Sequence, residues 1–347
     1  MAEEKPCFSP VPVTLIAGFL GAGKTTLLNR ILLGEHGKRV AVLVNDFGDV
    51  SIDQELVAAR DDTSVTLANG CICCTIRDDL IGAVQGLLRR TPAPEHLVVE
   101  LSGIADPGSV IRTFALMEQR WPLFLDGVLG LVDAAEFPEE ADPHHVLARE
   151  QLVLADVVLL NKVDLVPEPR VRELRERIRT WVPTARVVET VEADVPLPLL
   201  LGLDAERALD RRAEAREPPE HAHGFSTHTF RTREPLSLEK LRRACTELEP
   251  GVFRAKGFVH LDARPGHRTV LQIVGRRARI DLGEPWGERV PETVLVFIGS
   301  SGGFDAAELD RTFLACRADR ASSGNVLTSA IDWMRSRFRG GRDGASS

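Results

Sequence analysis

Short apolar runs alternate with segments in which apolar residues recur every three or four positions. Val11 to Ala17 is an apolar, β-branched run that predicts a strand, and Leu27, Leu28, Ile31 and Leu32 mark one face of a helix behind it. Val40 to Val44, Leu97 to Glu100, Val128 to Val132 and Val157 to Leu160 have little or no polar interruption, the pattern of strands buried on both faces of a parallel sheet. Val65 to Ala68 and Arg186 to Glu189 read as shorter strands. Helical spacing falls between them, at about Ile76 to Leu88, Gly108 to Gln119, His145 to Leu154 and Pro169 to Trp181. Regular alternation of strand and helix predicts an α/β fold over the first roughly 200 residues: one mostly parallel sheet with helices on both faces.

The pattern changes after residue 203. Asp204 to Gly224 crowds Arg207, Arg211, Arg212 and Arg216 with Glu206, Glu214, Glu217 and Glu220 around Pro218-Pro219, the composition of a charged linker. Phe225 to Thr232 alternates as a strand does, and Leu238, Leu241 and Leu248 mark a helix. Strand-like runs follow near Val252–Leu261, Thr269–Val274, Ala278–Leu282 and Thr293–Ile298, then a helix at Asp305 to Cys316. This predicts a small C-terminal α+β domain, one antiparallel sheet packed by two helices, over residues 225–316. The tail 317–347 is expected to be partly disordered, with one more helix at Val326 to Phe338.

The chain has 347 residues, 44% hydrophobic and 27% charged, with formal net charge −8. That balance argues against nucleic acid as a main partner, and no apolar run approaches the length of a membrane span. The start, Met1-Ala2-Glu3-Glu4-Lys5, lacks an apolar signal core, so a cytoplasmic protein is expected. Six cysteines in a reducing compartment do not suggest a disulfide scaffold.

The motifs sit where strands end. Gly18-Phe19-Leu20-Gly21-Ala22-Gly23-Lys24-Thr25 reads G-x-x-x-x-G-K-T between a strand and a helix, the phosphate-binding loop of a nucleotide hydrolase. Its glycines let backbone N–H groups face a phosphate, and the helix behind adds unpaired N–H groups and a positive dipole end. Gly21, Ala22, Gly23, Lys24, Thr25 and Thr26 are the candidate nucleotide contacts, with Lys24 on the outer phosphates and Thr25 on Mg²⁺. Asn161-Lys162-Val163-Asp164 reads N-K-x-D. A carboxylate there pairs with the N1–H and N2 amino hydrogens of guanine but would stand unpaired beside adenine, a penalty of about 3–5 kcal/mol when buried. GTP is favoured over ATP, with Asn161, Lys162 and Asp164 on the base.

Glu100-Leu101-Ser102-Gly103 holds the place where P-loop hydrolases put an acid on the Mg²⁺ shell and a glycine that senses the γ-phosphate. The polar segment Asn45 to Asp53 also follows a strand, where ligands bind in open α/β sheets. Asp46 joins Lys24 and Glu100 as a candidate catalytic residue, and Asp49 is a candidate metal ligand. Cys71-x-Cys73-Cys74 packs three thiols into four residues, which suits a soft or borderline metal such as Zn²⁺ with a fourth ligand from elsewhere; buried structural cysteines are the competing reading. Cys245 and Cys316 fall on apolar helix faces and read as core. His144 and His145 beside Asp142, and His221, His223 and His228 near the linker, read equally as weak metal sites or solvated loops. Arg254-Ala255-Lys256-Gly257 reads as a phosphate contact or plain surface.

Together these motifs resemble the CobW-type family of P-loop GTPase metallochaperones, over about residues 11 to 316. Gly18–Thr25, Asn45–Asp53, Gly70–Cys74, Glu100–Pro107 and Asn161–Asp164 match family motifs in family order, and Phe225–Thr232, Arg254–Gly257 and Val294–Gly299 are similar to its C-terminal domain. The chain departs from the pattern at Asp46 and Asp49, where glutamates are usual, at Leu101, where a serine or threonine is usual, and in a histidine-rich loop reduced to His221, His223 and His228. The resemblance implies a GTPase that turns GTP into GDP and phosphate and delivers a metal, most often zinc, to a client protein. The metal site would be built on Cys71, Cys73 and Cys74 beside the nucleotide. Co²⁺ as the metal, a cobalt- or iron-directed activator, and a non-enzymatic zinc store or sensor remain as alternatives, and self-association stays open.

Overall fold

The computed structural model describes residues 10–46, 64–68, 75–202 and 224–319. In chain order the elements are β1 (Val11–Gly18), α1 (Lys24–Leu33), β2 (Val40–Asp46), β3 (Ser64–Ala68), α2 (Thr75–Leu88), β4 (His96–Glu100), α3 (Pro107–Met117), β5 (Leu123–Asp133) and α4 (His145–Glu150). There follow β6 (Val157–Asn161), a 3₁₀ turn (Val163–Leu165), α5 (Glu168–Trp181), β7 (Arg186–Thr190) and α6 (Leu197–Leu201). The C-terminal set is β8 (Phe225–Thr232), α7 (Leu238–Thr246), β9 (Val252–Val259), β10 (His267–Val274), β11 (Arg277–Pro285), β12 (Thr293–Ser300) and α8 (Ala306–Leu314).

The first seven strands form one parallel sheet in the order β3-β2-β4-β1-β5-β6-β7. Successive side chains of a strand face opposite ways, and the core divides accordingly. Val40, Val42 and Val44 pack with Leu27, Leu28 and Ile31 of α1, while Ala41 and Leu43 pack with Leu80 and Val84 of α2 and Phe114 of α3. The chain leaves β1 toward β2, β3 and β4 on one side and reaches β5 on the other. The sheet's switch point therefore lies at the C-terminal end of β1, where open α/β folds bind ligands.

The last five strands form an antiparallel sheet, β11-β10-β9-β12-β8, covered by α7 and α8, as the alternating pattern predicts. Cys245 and Cys316 are buried in its core, and burial pushes their thiols up to about 12 and about 11, so both are neutral packing groups. The helix expected over residues 145–154 stops at Glu150, and β5 begins at Leu123, ahead of the apolar run. Asp126 hides that start, because its partner Arg254 comes from β9. Arg254 is thus neither a phosphate contact nor surface: it is 3% exposed and paired with Asp126 between the two sheets. The helix expected at Val326 to Phe338, with the rest of the tail past 319, lies outside the described residues, as do Cys7, His221 and His223.

His96, at the start of β4, is fully buried at the same seam. Its Nε2 lies 2.8 Å from Thr14 Oγ1, whose hydroxyl donates to Leu200 O, so Nε2 carries the proton and Thr14 accepts it. Burial pushes the imidazole down to about 3; Asp126 pulls the other way, and Arg254, Lys38 and Lys256 add to the lowering. The folded protein therefore keeps His96 neutral while the unfolded chain takes up a proton below about pH 6.5. This stabilisation is full above that pH and is lost toward pH 3, at about 1.4 kcal/mol per unit. Urea unfolding of wild type and His96→Gln across pH 4–7 is expected to differ by that slope; parallel curves would mean that the folded imidazole is charged.

Candidate functional site

The loop after β1 is shaped by close approach. Gly23 caps α1 with φ 101°, and a Cβ there would stand 2.5 Å from Asn161 Nδ2. Only glycine satisfies both the left-handed backbone and that gap. Lys24 opens the helix, is 8% exposed, and donates from Nζ to Phe19 O at 3.2 Å across the loop. Ala22 is buried, while Gly21 and Thr26 are exposed. Thr25 Oγ1 donates to Glu100 Oε1 at 3.3 Å, and Glu100, at the end of β4, is 3% exposed. Three residues on, a Cβ at Gly103 would stand 2.8 Å from Leu20 N, so the Glu100–Gly103 segment lies directly against the loop. The hydroxyl and carboxylate oxygens at the loop's end are a donor set that suits a hard cation such as Mg²⁺.

The ends of β5, β6 and β7 form the other half of the site. Asn161 is buried; its Nδ2 donates to Ala22 O at 3.0 Å, and its Oδ1 accepts from Ala193 N at 2.8 Å. It straps the phosphate loop to the turn after β7. Lys162 takes a left-handed φ of 61° and sends Nζ to Asp133 Oδ2 at 2.5 Å. Asp133 is fixed in turn by Ala135 N and Glu136 N on its Oδ1. Asp164 lies in the 3₁₀ turn and is exposed.

The structure thus brings Gly21 to Thr26, Glu100, Gly103, Asn161, Lys162 and Asp164 to one edge of the sheet. Asp133 and the Val191–Asp194 turn belong there too and were not singled out from the sequence. The available signal was position alone: Asp133 ends β5 and the turn follows β7. Asp46 is the last residue of β2, two positions beyond the residue that pairs with Glu100. Asp49, Cys71, Cys73 and Cys74 lie outside the described residues, although Ala68, ending β3, and Thr75, starting α2, flank the cysteine segment.

Of the candidate histidines, His144 is exposed on its loop, His145 and His228 are partly buried, and His221 and His223 lie outside the described residues. Asp142 Oδ1 caps the backbone N–H of His144, while the His144 ring lies 5.9 Å from that of Phe19. His145 Nδ1 meets Pro138 O, and its ring packs on Phe137 and Trp181. His228 Nε2 is 2.7 Å from Asp310 Oδ1. Among the described residues no group of three or more His, Cys, Asp or Glu is placed to hold a metal ion, and no helix is long and apolar enough to cross a membrane.

Residues 12–189 match the family model described as CobW/HypB/UreG, nucleotide-binding domain, and residues 225–317 match the cobalamin synthesis protein cobW C-terminal domain. The chain is 34% identical to the zinc chaperone YjiA of Escherichia coli K12 over 84% of its own length and 94% of that protein. It is 31% identical to the zinc chaperone CobW of a Sinorhizobium species, over 83% of this chain and 92% of that one. Among solved structures, Zn(II)-bound YjiA GTPase from E. coli aligns with 90% of this chain and all of its own, at 28% identity and a TM-score of 0.44.

Proposed function

The chain belongs to the CobW/HypB/UreG nucleotide-binding family and is a P-loop GTPase, and from that premise we propose that it is a zinc metallochaperone whose GTP cycle loads and releases the ion for a client protein. The observation that carries this reading is the Thr25–Glu100 pair, with Gly103 packed on the phosphate loop. It supports a site in which the γ-phosphate is felt at once by the strand end that follows the cysteine segment. Relatives named zinc chaperones support the choice of metal.

In this reading Lys24 reaches the outer phosphates, the loop N–H groups from Gly21 to Thr26 cradle them, and Asp164 takes the guanine edge, flanked by Asn161 and Lys162. Thr25 Oγ1 would hold Mg²⁺ with Glu100 behind it, and the ion, when bound, neutralises charge on the phosphate oxygens. Asp46 and Glu100 close strands β2 and β4 and would orient the attacking water; Asp49 would serve the metal. Cys71, Cys73 and Cys74 bind the zinc as thiolates, so loading releases protons. Co²⁺ accepts the same ligands, and competition between the two metals would rank them. We assign 1–203 to the GTPase domain, 204–224 to the linker and 225–316 to the C-terminal domain, and place the protein in the cytoplasm, where GTP is supplied and thiols stay reduced.

Linkage makes the coupling reciprocal. Zinc affinity is expected to differ by about fivefold or more between protein holding a non-hydrolysable GTP analogue and protein holding GDP. Serine at Cys71, Cys73 and Cys74 together should abolish tight zinc binding and leave basal GTP hydrolysis. Equal zinc affinities in the two nucleotide states would remove the coupling; zinc retained by the triple serine variant would remove the site.

A further inference from the structure

The turn after β7 is unusual for its residue types. Glu192 and Ala193 take consecutive left-handed backbones, φ 52° and 54°, which L side chains disfavour and which persist only when neighbours enforce them. Part of the enforcement is local: Asp194 N donates to Val191 O, and Thr190 Oγ1 donates to Asp194 O. The rest comes from the nucleotide site. Asn161 Oδ1 accepts the Ala193 N–H. Arg30, in the last turn of α1, donates from Nε to Glu192 O at 2.8 Å and from one terminal nitrogen to Asp194 Oδ1 at 2.8 Å, with the other 3.7 Å from a Glu192 carboxylate oxygen.

These contacts close a ring. The phosphate loop is tied through Ala22 O to Asn161, Asn161 to Ala193, and the Glu192–Asp194 turn through Arg30 to α1, the helix that continues the phosphate loop. Strand register sets Thr190 opposite Asn161, so the turn stands beside Asn161-Lys162-Val163-Asp164. We infer that Arg30 is a positioning residue for guanine recognition: it holds the 191–194 turn as a rigid wall of the base site and fixes that wall to the phosphate end. The inference rests on the reading that Asp164 takes the guanine edge. Arg30 sits in the last turn of α1, away from the helix start that faces the phosphate loop, so its contribution belongs to nucleotide affinity and base choice, not to the chemical step.

The test compares GDP binding, GTP hydrolysis and thermal stability for Arg30→Ala, Arg30→Lys, Asp194→Asn and Asp164→Asn in the full chain. Arg30→Ala is expected to weaken GDP binding and raise the KM for GTP by about tenfold, the scale of losing charge-assisted hydrogen bonds at a half-exposed site, with kcat within about twofold of wild type. Lysine keeps the charge but not the planar fork, so Arg30→Lys should recover little of that loss. Combining Arg30→Ala with Asp194→Asn should add little to Arg30→Ala alone, since both cut one contact. Asp164→Asn separates the two readings: a shift of preference from GTP to xanthosine triphosphate supports the base site. If Asp164→Asn shifts that preference while Arg30→Ala loses thermal stability but keeps wild-type GDP affinity and KM, Arg30 only braces the fold and the inference falls. If Asp164→Asn leaves the preference unchanged, the base-site reading falls and takes the inference with it.

Discussion

Replacing Lys24 with alanine is expected to lower kcat/KM for GTP by about 10²–10³-fold, the loss typical of removing one preorganised charge-stabilising group from a reacting centre. The lysine is nine-tenths buried with its ammonium on Phe19 O, so it waits inside the loop and pays little reorganisation when a phosphate arrives. The same placement predicts what happens to the fold. A buried cation is costly to desolvate, so the nucleotide-free Lys24→Ala protein should be as thermally stable as wild type or more so, while GDP no longer raises its Tm by mass action. Lys24→Arg should not rescue, because a planar fork cannot take the place of a point charge in so tight a loop. Single-turnover hydrolysis and melting curves with and without GDP measure both effects. Activity within tenfold of wild type would show that phosphate charge is met elsewhere.

The sequence made legible whatever is contiguous. The phosphate loop, the N-K-x-D segment and the apolar strands Val40–Val44 and Val157–Leu160 each carry their signal within about eight residues, and each stands where it was expected. What stayed hidden joins distant positions. Thr25 meets Glu100 across 75 residues and Asn161 meets Ala22 across 139, pairings that appear only once parallel strands align their C-terminal ends. Lys162 reads as a base contact, and its ammonium is anchored by Asp133, a residue that in the sequence is only a strand end. The left-handed pair Glu192–Ala193 has no glycine or asparagine to announce it, because part of the enforcement comes from Asn161 and Arg30, far from the turn in sequence. The five-residue helix α6 is too short for its periodicity to register, and it forms against Thr14 and Arg254.

Asp126→Asn is expected to destabilise the whole molecule by about 3–5 kcal/mol, the loss typical of leaving one member of a buried ion pair uncompensated. Asp126 and Arg254 are 5% and 3% exposed. Burial raises the Asp126 carboxyl, but the charge of Arg254 and its hydrogen bond outweigh it and hold the group below the usual carboxylate range. Its stabilisation is therefore present above about pH 4 and lost as pH falls through its lowered pKa. Arg254 is also bound to the carbonyls of Leu199 and Leu200, so the pair gathers β5, β9 and α6 at one point. Arg254→Met should cost a similar amount, and the double variant Asp126→Leu/Arg254→Met less than the two singles summed, since neither charge is then stranded. Around this point Phe225, Phe253 and Val274 of the C-terminal sheet share one core with Ile16, Leu129 and Leu159 of the parallel sheet. β5 continues unbroken from Asp126 to Asp133, the anchor of Lys162. A seam built this way should fail cooperatively, so urea unfolding of Asp126→Asn is expected to show one transition at lower midpoint. Two transitions, with the parallel-sheet half melting where wild type does, would mean that the sheets are only tethered and that no strain at the C-terminal sheet reaches the nucleotide through β5.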